Sequence, residues 1–155
     1  MWWGHCMTWT DREKELVAVG TSVAAGCRPC TDYHFNKALE TGATEDEIWQ
    51  AMSIGIRVRN SATNIMQAFA YSHLDSEANI PAAQDAIEHS RIGLLISIGA
   101  AFAVNSTIDL EKHLTAAKAM HITDTEIKAV AKLALMIKGV GSSHVEKMIG
   151  IEKED

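Results

Sequence analysis

The sequence predicts an all-α protein. Helix-favouring residues such as Ala, Leu, Ile, Met, Glu and Lys are plentiful, and only two prolines occur in 155 residues. No segment shows the strict apolar–polar alternation of a half-buried strand. Three Thr-x-x-Glu sequences, starting at Thr10, Thr44 and Thr123, are typical of capping boxes at helix N-termini. The length suits one ordinary globular domain with a packed core.

The first two helices are bounded by glycines. The first follows the capping box at Thr10 and ends near Gly26. The second begins around Cys27–Cys30. Pro29 is tolerated there because N–H groups in the first turn of a helix have no acceptor within the helix, so a missing N–H breaks no hydrogen bond. It stops at Gly42, a residue type typical of the position just after a helix. Both helices are therefore expected to be short.

The third helix is predicted from Glu45 to about Asn60, with helical character continuing over 62–72. Residues 74–81 are interpreted as a linker, and 82–90 precede a second set of helices. The prediction is one domain, 1–155, made of two repeats at about 10–72 and about 82–150.

The repeat is visible when His34 is aligned with His113, which gives an offset of 79 residues (113 − 34 = 79). At this offset the two halves of the segment from Leu16 to about Lys138 align without an insertion or deletion, and identical residues recur along the alignment. The further matching pairs are Leu16 and Leu95, Gly20 and Gly99, Ala24 and Ala103, Ala38 and Ala117, Thr44 and Thr123, Glu47 and Glu126, and Ile48 and Ile127. Such agreement at one offset indicates a duplicated helical unit.

Composition and charge exclude several classes of protein. The net charge is −6 and no Lys/Arg block occurs, so nucleic acid is not an expected partner. The longest uncharged apolar run, Ile92–Val104, is 13 residues long, whereas a membrane span takes roughly 20. The N-terminus has no basic segment followed by an apolar stretch of signal length, so no membrane association and a cytoplasmic location are expected.

The candidate site is a cluster of two thiols, an imidazole and a carboxylate. Cys27 and Cys30 lie one helical turn apart, and His34 follows Cys30 by a further turn. Glu15 lies twelve residues before Cys27, at the edge of the apolar stripe of the first helix. If the segment opens a helix, the unpaired N–H groups and the helix dipole favour a thiolate, which is the reactive form. The cluster indicates reversible redox chemistry.

Other interpretations of the cysteines stay open. A Cys-x-x-Cys pair is also half of a structural zinc site, although no second pair completes it. Cys6 is an odd thiol with no assigned role.

The second copy lacks most of this cluster and keeps only the histidine, His113. We therefore expect it to serve as a scaffold for the first copy. The residues opposite Cys27, Cys30 and Glu15 are Ser106, Asp109 and Leu94.

The pattern Glu-x11-Cys-x2-Cys-x3-His, formed by Glu15, Cys27, Cys30 and His34, resembles the motif of the alkylhydroperoxidase D and carboxymuconolactone decarboxylase family. Residues 38–48 also resemble the next stretch of that family. The resemblance implies an all-helical fold and thiol-dependent peroxidase activity without a bound cofactor or metal. It further implies a homotrimer, or in one-unit relatives a hexamer.

The same resemblance implies a role for each site residue. The residue matching Cys30 is oxidised to a sulfenic acid, the one matching Cys27 resolves it as a disulfide, and Glu15 with His34 forms a proton relay. The residues themselves leave the order open, because the first cysteine lies nearer the positive end of the helix dipole.

One departure from the family pattern concerns Pro29, since alkylhydroperoxidase D has a histidine before its second cysteine. This difference favours, as an alternative, a dithiol-disulfide oxidoreductase acting on protein or small-molecule disulfides. A second alternative is a carboxymuconolactone decarboxylase-like enzyme without a redox role. A peroxide or disulfide substrate and a dithiol or protein electron donor are the expected partners.

Overall fold

A computed structural model describes residues 9–74 and 86–151. Within these ranges the chain forms helices and no strand, so the all-α prediction is confirmed. Cys6 and most of the predicted linker lie outside the described residues. The helices are α1 (Asp11–Ala25), α2 (Arg28–Glu40), α3 (Glu45–Ser72), α4 (Arg91–Ala103), α5 (Thr107–Ala119) and α6 (Asp124–Met148).

All three predicted capping boxes are present. The hydroxyl of the N-cap threonine accepts the N–H of the glutamate three residues on, and the glutamate side chain accepts the N–H of the threonine. Each box pairs two N–H groups that a helix leaves without an internal partner. The boxes start α1, α3 and α6, at Thr10, Thr44 and Thr123.

The third predicted helix and its helical continuation over 62–72 form one element. Helix α3 runs without a break from Glu45 to Ser72. Neither glycine nor proline occurs between 56 and 72, so nothing in the backbone interrupts the helix. Ser61 and Ala62, where the two predicted stretches meet, are buried.

Helices α1 and α4 form the centre of the fold. Helix α1 packs against α2, α3, α4 and α6, and α4 packs against α1, α3, α5 and α6. Eight of the fifteen residues of α1 and ten of the thirteen of α4 are buried. The helices that carry the candidate site residues are therefore held by contacts with both halves of the chain.

The turns of the two halves correspond. After α1, Gly26 has a φ of 72°, and after α4 Asn105 has a φ of 58°. After α2, Gly42 has a φ of 92°, and after α5 His121 has a φ of 62°. At each turn the N–H of this residue donates to the carbonyl three residues earlier, and the N–H of the following residue donates to the carbonyl five residues earlier, the pattern of a Schellman motif. Duplication remains an inference from the sequence, with which these matching turns agree.

Ion pairs connect the starts of α1 and α4 to α3 and α6, at positions that correspond in the two halves. Arg12 at the start of α1 pairs with Glu47 of α3, and Arg91 at the start of α4 pairs with Glu126 of α6. Arg91 also bonds Glu13 of α1 at 2.6 Å, which joins the two halves. The glutamates of the α3 and α6 capping boxes thus also accept from an arginine.

No helix in the described part of the chain combines the length and the apolar character that a membrane span requires.

The backbones of helices α1 and α3 are in close contact at Gly20 and Gly55. A Cβ added to Gly55 would collide with the backbone carbonyl of Gly20, which no side-chain movement relieves. We expect Gly55→Ala to lower the free energy of unfolding by about 2–3 kcal/mol, since overpacking typically costs about that much. Urea denaturation of the disulfide form measures the change.

Gly139→Ala is the matched control, because it also lies within a helix and a Cβ there meets nothing within 4 Å. Alanine favours helix over glycine, so this variant should be as stable as the wild type or more stable by about 0.5–1 kcal/mol. Equal destabilisation by both substitutions would contradict the close packing of α1 on α3.

Candidate active site

A tight turn at Gly26, between α1 and α2, places Cys27 at the start of α2. The N–H of Gly26 donates to the carbonyl of Val23, and the N–H of Cys27 donates to the carbonyl of Ser22, each at 3.1 Å. The left-handed conformation of Gly26 permits this reversal without the penalty that a Cβ brings. The position of Cys27 relative to the end of α1 is thereby fixed by backbone hydrogen bonds.

Cys27 is the N-cap residue of α2. Its Sγ accepts the backbone N–H of Cys30 at 3.3 Å, the bond that a serine or aspartate usually makes at this position. Pro29 lies in the first turn of the helix, as predicted, where the absence of its N–H costs little. A negative charge on the Cys27 sulfur would lie at the positive end of the helix dipole.

Cys27 and Cys30 are joined by a disulfide, with their Cα atoms 5.3 Å apart. Both residues are buried, at 3% and 5% exposure. The two predicted site cysteines are thus close enough to interconvert between dithiol and disulfide through side-chain movement alone.

The second half of the chain forms one wall of the site. The Sγ of Cys30 lies 3.8 Å from the backbone carbonyl oxygen of Ile137 on α6. A carbonyl oxygen can accept a hydrogen bond from a thiol, so it is a potential acceptor for Cys30 in the reduced protein. Gly141, one turn further along α6, lies beside Cys27. No local sequence pattern indicated that α6 contributes here.

Glu15 and His34 form a hydrogen-bonded pair between α1 and α2. The Nδ1 atom of His34 lies 2.7 Å from Oε2 of Glu15, and the two side chains are 10% and 12% exposed. An ionised carboxylate only accepts, so Nδ1 carries the hydrogen and Nε2 is free to act as a base in the neutral ring. The ring of Tyr33 packs edge-on against His34 at a centroid distance of 5.0 Å. The pair can accept a proton and share the resulting charge.

An open hollow of about 520 Å³ leads to the cysteine pair from the side of Cys27. Cys27 is in its lining, whereas Cys30 is not. The sequence analysis singled out neither Ser22 nor His144, both of which line it. His144 is brought to Cys27 by the packing of α6, whereas Ser22 is held there by the local turn at Gly26. Its lining includes Ser22, Cys27, Arg28, Pro29, Asp32 and His144.

The corresponding place in the second half contains a hydroxyl–carboxylate network. Ser106 is the N-cap of α5, as Cys27 is of α2, and its hydroxyl donates to Oδ2 of Asp109 at 2.5 Å. The hydroxyl of Ser61 donates to Oδ1 of the same carboxylate at 2.7 Å. Asp109 and His113 are completely buried. Hydrogen bonds therefore connect the positions that a disulfide connects in the first half.

Metal ligation was left open by the sequence. Between residues 9 and 74 and between 86 and 151, no group of three or more His, Cys, Asp or Glu side chains is arranged to hold a metal ion.

The model of the carboxymuconolactone decarboxylase family matches residues 7–74. This range contains α1, α2 and α3 and all four predicted site residues. No curated protein and no solved structure matches the chain. The family includes alkylhydroperoxidase-like members, and its members are enzymes. Residues 7–74, somewhat less than half of the chain, are thus similar to the carboxymuconolactone decarboxylase family.

Proposed function

We propose that this protein is a thiol-dependent peroxidase that cycles Cys27 and Cys30 between dithiol and disulfide. The observation that carries the proposal is the disulfide-bonded pair at the start of α2, beside a buried carboxylate–imidazole pair. Cysteines placed at a helix N-terminus next to a base are those that ionise and react most readily.

In the first half-reaction a cysteine thiolate attacks the outer oxygen of a hydroperoxide. A sulfur–oxygen bond forms, the oxygen–oxygen bond breaks, and the departing alkoxide takes a proton to leave as an alcohol or water. The sulfur is oxidised to a sulfenic acid and the peroxide is reduced. Resemblance to the family assigns this attack to Cys30, with Cys27 as the resolving thiol.

In the second half-reaction the other cysteine attacks the sulfenic sulfur. A disulfide forms, the sulfur–oxygen bond breaks, and hydroxide leaves as water after protonation. A dithiol donor, either a small molecule or a protein, then attacks the disulfide and is itself oxidised to a disulfide, which restores both thiols. The cycle balances without a bound cofactor or metal.

Glu15 and His34 are assigned the proton movements of the cycle. The free Nε2 of His34 takes the proton of the attacking thiol, and the carboxylate of Glu15 stabilises the imidazolium through Nδ1. The same proton is returned to the departing oxygen. Burial of the pair supports this assignment, because water competes less for its charges.

A homo-oligomer, with a trimer as the expected form, is part of the proposal. Large apolar side chains are exposed on α3 and α6, and covering them would remove apolar surface from water. A cytoplasmic location is likewise proposed, since a reducing compartment regenerates dithiols. The most exposed of these side chains on the two helices are Trp49, Met66, Tyr71, Leu135, Met136, Val145 and Met148.

Reduction of protein or small-molecule disulfides is a second candidate function, favoured by Pro29. This residue lies in the lining of the hollow, at the position where alkylhydroperoxidase D has a histidine. The site therefore lacks one proton-transferring group of the peroxidase pattern. Disulfide exchange requires fewer proton transfers, because a thiolate leaves as a thiolate attacks.

Both cysteines are required for either activity. We expect Cys27→Ser and Cys30→Ser each to lower peroxide turnover with a dithiol donor by at least about 100-fold, since serine neither ionises nor forms a disulfide at neutral pH. Peroxide consumption and disulfide reduction, measured side by side on the wild type, decide between the two candidates by their relative rates.

The matched control is Cys6→Ser, which removes the one thiol that has no assigned role in the cycle and should leave both rates unchanged. Lactone decarboxylation that persists in the Cys27→Ser/Cys30→Ser double variant would favour the non-redox alternative. Wild-type rates of peroxide turnover in either single variant would refute the peroxidase proposal.

Glu15→Gln tests the proton relay. The amide keeps the shape but loses the charge that stabilises the imidazolium, so we expect peroxide turnover to fall by about 10- to 100-fold. The measurement is single-turnover formation of the Cys27–Cys30 disulfide after mixing reduced protein with peroxide.

Asp11→Asn is the control for this substitution, because Asp11 lies one turn earlier on α1 and is exposed. It should react at the wild-type rate. If Glu15→Gln is as fast as Asp11→Asn, Glu15 takes no part in proton transfer.

A further inference from the structure

A second open hollow, here called the α1–α6 hollow, lies between the start of α1 and the first half of α6. Its volume is about 490 Å³, within the range of protein pockets that take small molecules. None of the four proposed site residues lines it, so it is distinct from the hollow beside Cys27. It is a separate candidate for ligand binding.

The charged side chains in the lining of the α1–α6 hollow all have the same sign. Lys14 lines it from α1, and Lys128 and Lys132, one turn apart, line it from α6. No carboxylate of a described residue lines it. Among the described residues, none forms an ion pair or a hydrogen bond with the side chain of any of these lysines. Three uncompensated positive charges thus share one hollow in a chain whose net charge is −6.

The glutamates that lie near these lysines along α1 and α6 have other partners. Glu13 and Glu126 both bond Arg91, and Glu15 bonds His34. These three carboxylates are therefore held away from the lysines by ion pairs of their own. A negative charge that complements the lysines has to come from a ligand.

The rest of the lining is mainly apolar. Trp9 contributes an aromatic ring, Leu133 is buried, and Met136 is about half exposed, at 55%. An aromatic or aliphatic group can pack against these side chains while an attached anionic group meets the ammonium groups. The lining thus suits a molecule with one charged end and one apolar end.

The corresponding hollow of the other half is neutralised by the protein itself. It lies between the starts of α3 and α4, and its volume is about 190 Å³. Three carboxylates line it, and each is paired with an arginine. Lining residues that correspond at the offset of 79 are Trp9 and Glu88, Lys14 and Gly93, Ala129 and Gln50, and Leu133 and Ile54. The positive charge of the α1–α6 hollow is therefore not a general feature of the repeated unit.

We propose that the α1–α6 hollow binds an organic anion, namely a carboxylate attached to an aromatic or aliphatic body. The three lysines attract the carboxylate, and their flexible stems let the ammonium groups adjust to its position. Trp9, Leu133 and Met136 contact the body of the ligand. This inference does not depend on the proposed peroxidase function, because the hollow uses none of the residues of the redox cycle.

The test is equilibrium dialysis of the full-length protein against cinnamate, an aromatic carboxylate, and cinnamamide, its uncharged analogue. We expect cinnamate to bind at least about 10-fold more tightly, since the lysines attract only the anion. Added salt should weaken the binding of cinnamate and leave that of cinnamamide nearly unchanged. Inorganic phosphate at the same concentration should displace little cinnamate, because it has no apolar body.

Substitutions locate the binding. Lys14→Met and Lys132→Met should each weaken cinnamate binding by about threefold to tenfold, since an exposed ion pair contributes modestly, and should not affect cinnamamide. Trp9→Ala should weaken the binding of both molecules, because contact with the ring does not depend on charge. The matched control is Lys118→Met, which removes an exposed lysine of α5 outside the lining and should bind cinnamate like the wild type.

Failure of cinnamate to bind the wild type would overturn the site itself. Equal affinity for cinnamate and cinnamamide would overturn the role of the lysines, and displacement of cinnamate by an equal concentration of phosphate would overturn the role of the apolar lining. Equal losses in Lys132→Met and Lys118→Met would show attraction to the surface as a whole rather than to the hollow. None of these results bears on the peroxidase proposal, which is tested through the cysteines.

Discussion

The turn at Gly26 is the constraint on which the rest of the site depends. Two backbone hydrogen bonds close it, and they place Cys27 at the N-cap of α2 with no intervening residue to adjust. From that position the sulfur accepts a helix N–H, reaches Cys30 and borders the hollow. The buried pair of Glu15 and His34 joins the same two helices on either side of this turn.

The second half of the chain does more than repeat the first. It supplies α6, whose backbone carbonyl at Ile137 lies against Cys30 and whose Gly141 leaves room beside Cys27. At its own equivalent turn, Asn105 takes the left-handed conformation and Ser106 the N-cap, so the backbone geometry is retained without sulfur. A shared backbone arrangement therefore carries redox-capable cysteines in one half and a hydroxyl–carboxylate network in the other.

Much of the fold could be predicted because its signals are local. Thr-x-x-Glu sequences marked three helix starts, and Gly26 and Gly42 marked two helix ends. The equivalent ends at Asn105 and His121 carry no such signal, since these residue types adopt the left-handed conformation less often than glycine. The helical continuation predicted over 62–72 is confirmed, and the buried face of α3 extends through Ser61. Ile137 approaches the cysteines only through the packing of α6 on the first half, which spacing along the chain does not reveal.

The central claim, that Cys27 and Cys30 pass reversibly between dithiol and disulfide by reducing a peroxide, is tested most directly by stoichiometry. Fully reduced protein is titrated with hydroperoxide, and thiols, peroxide and disulfide-linked peptides are counted at each step. We expect that one peroxide is consumed for every two thiols lost, that the linked peptide joins Cys27 to Cys30, and that a dithiol restores both. Loss of thiols without that linkage, or retention of both thiols in excess peroxide, would contradict it.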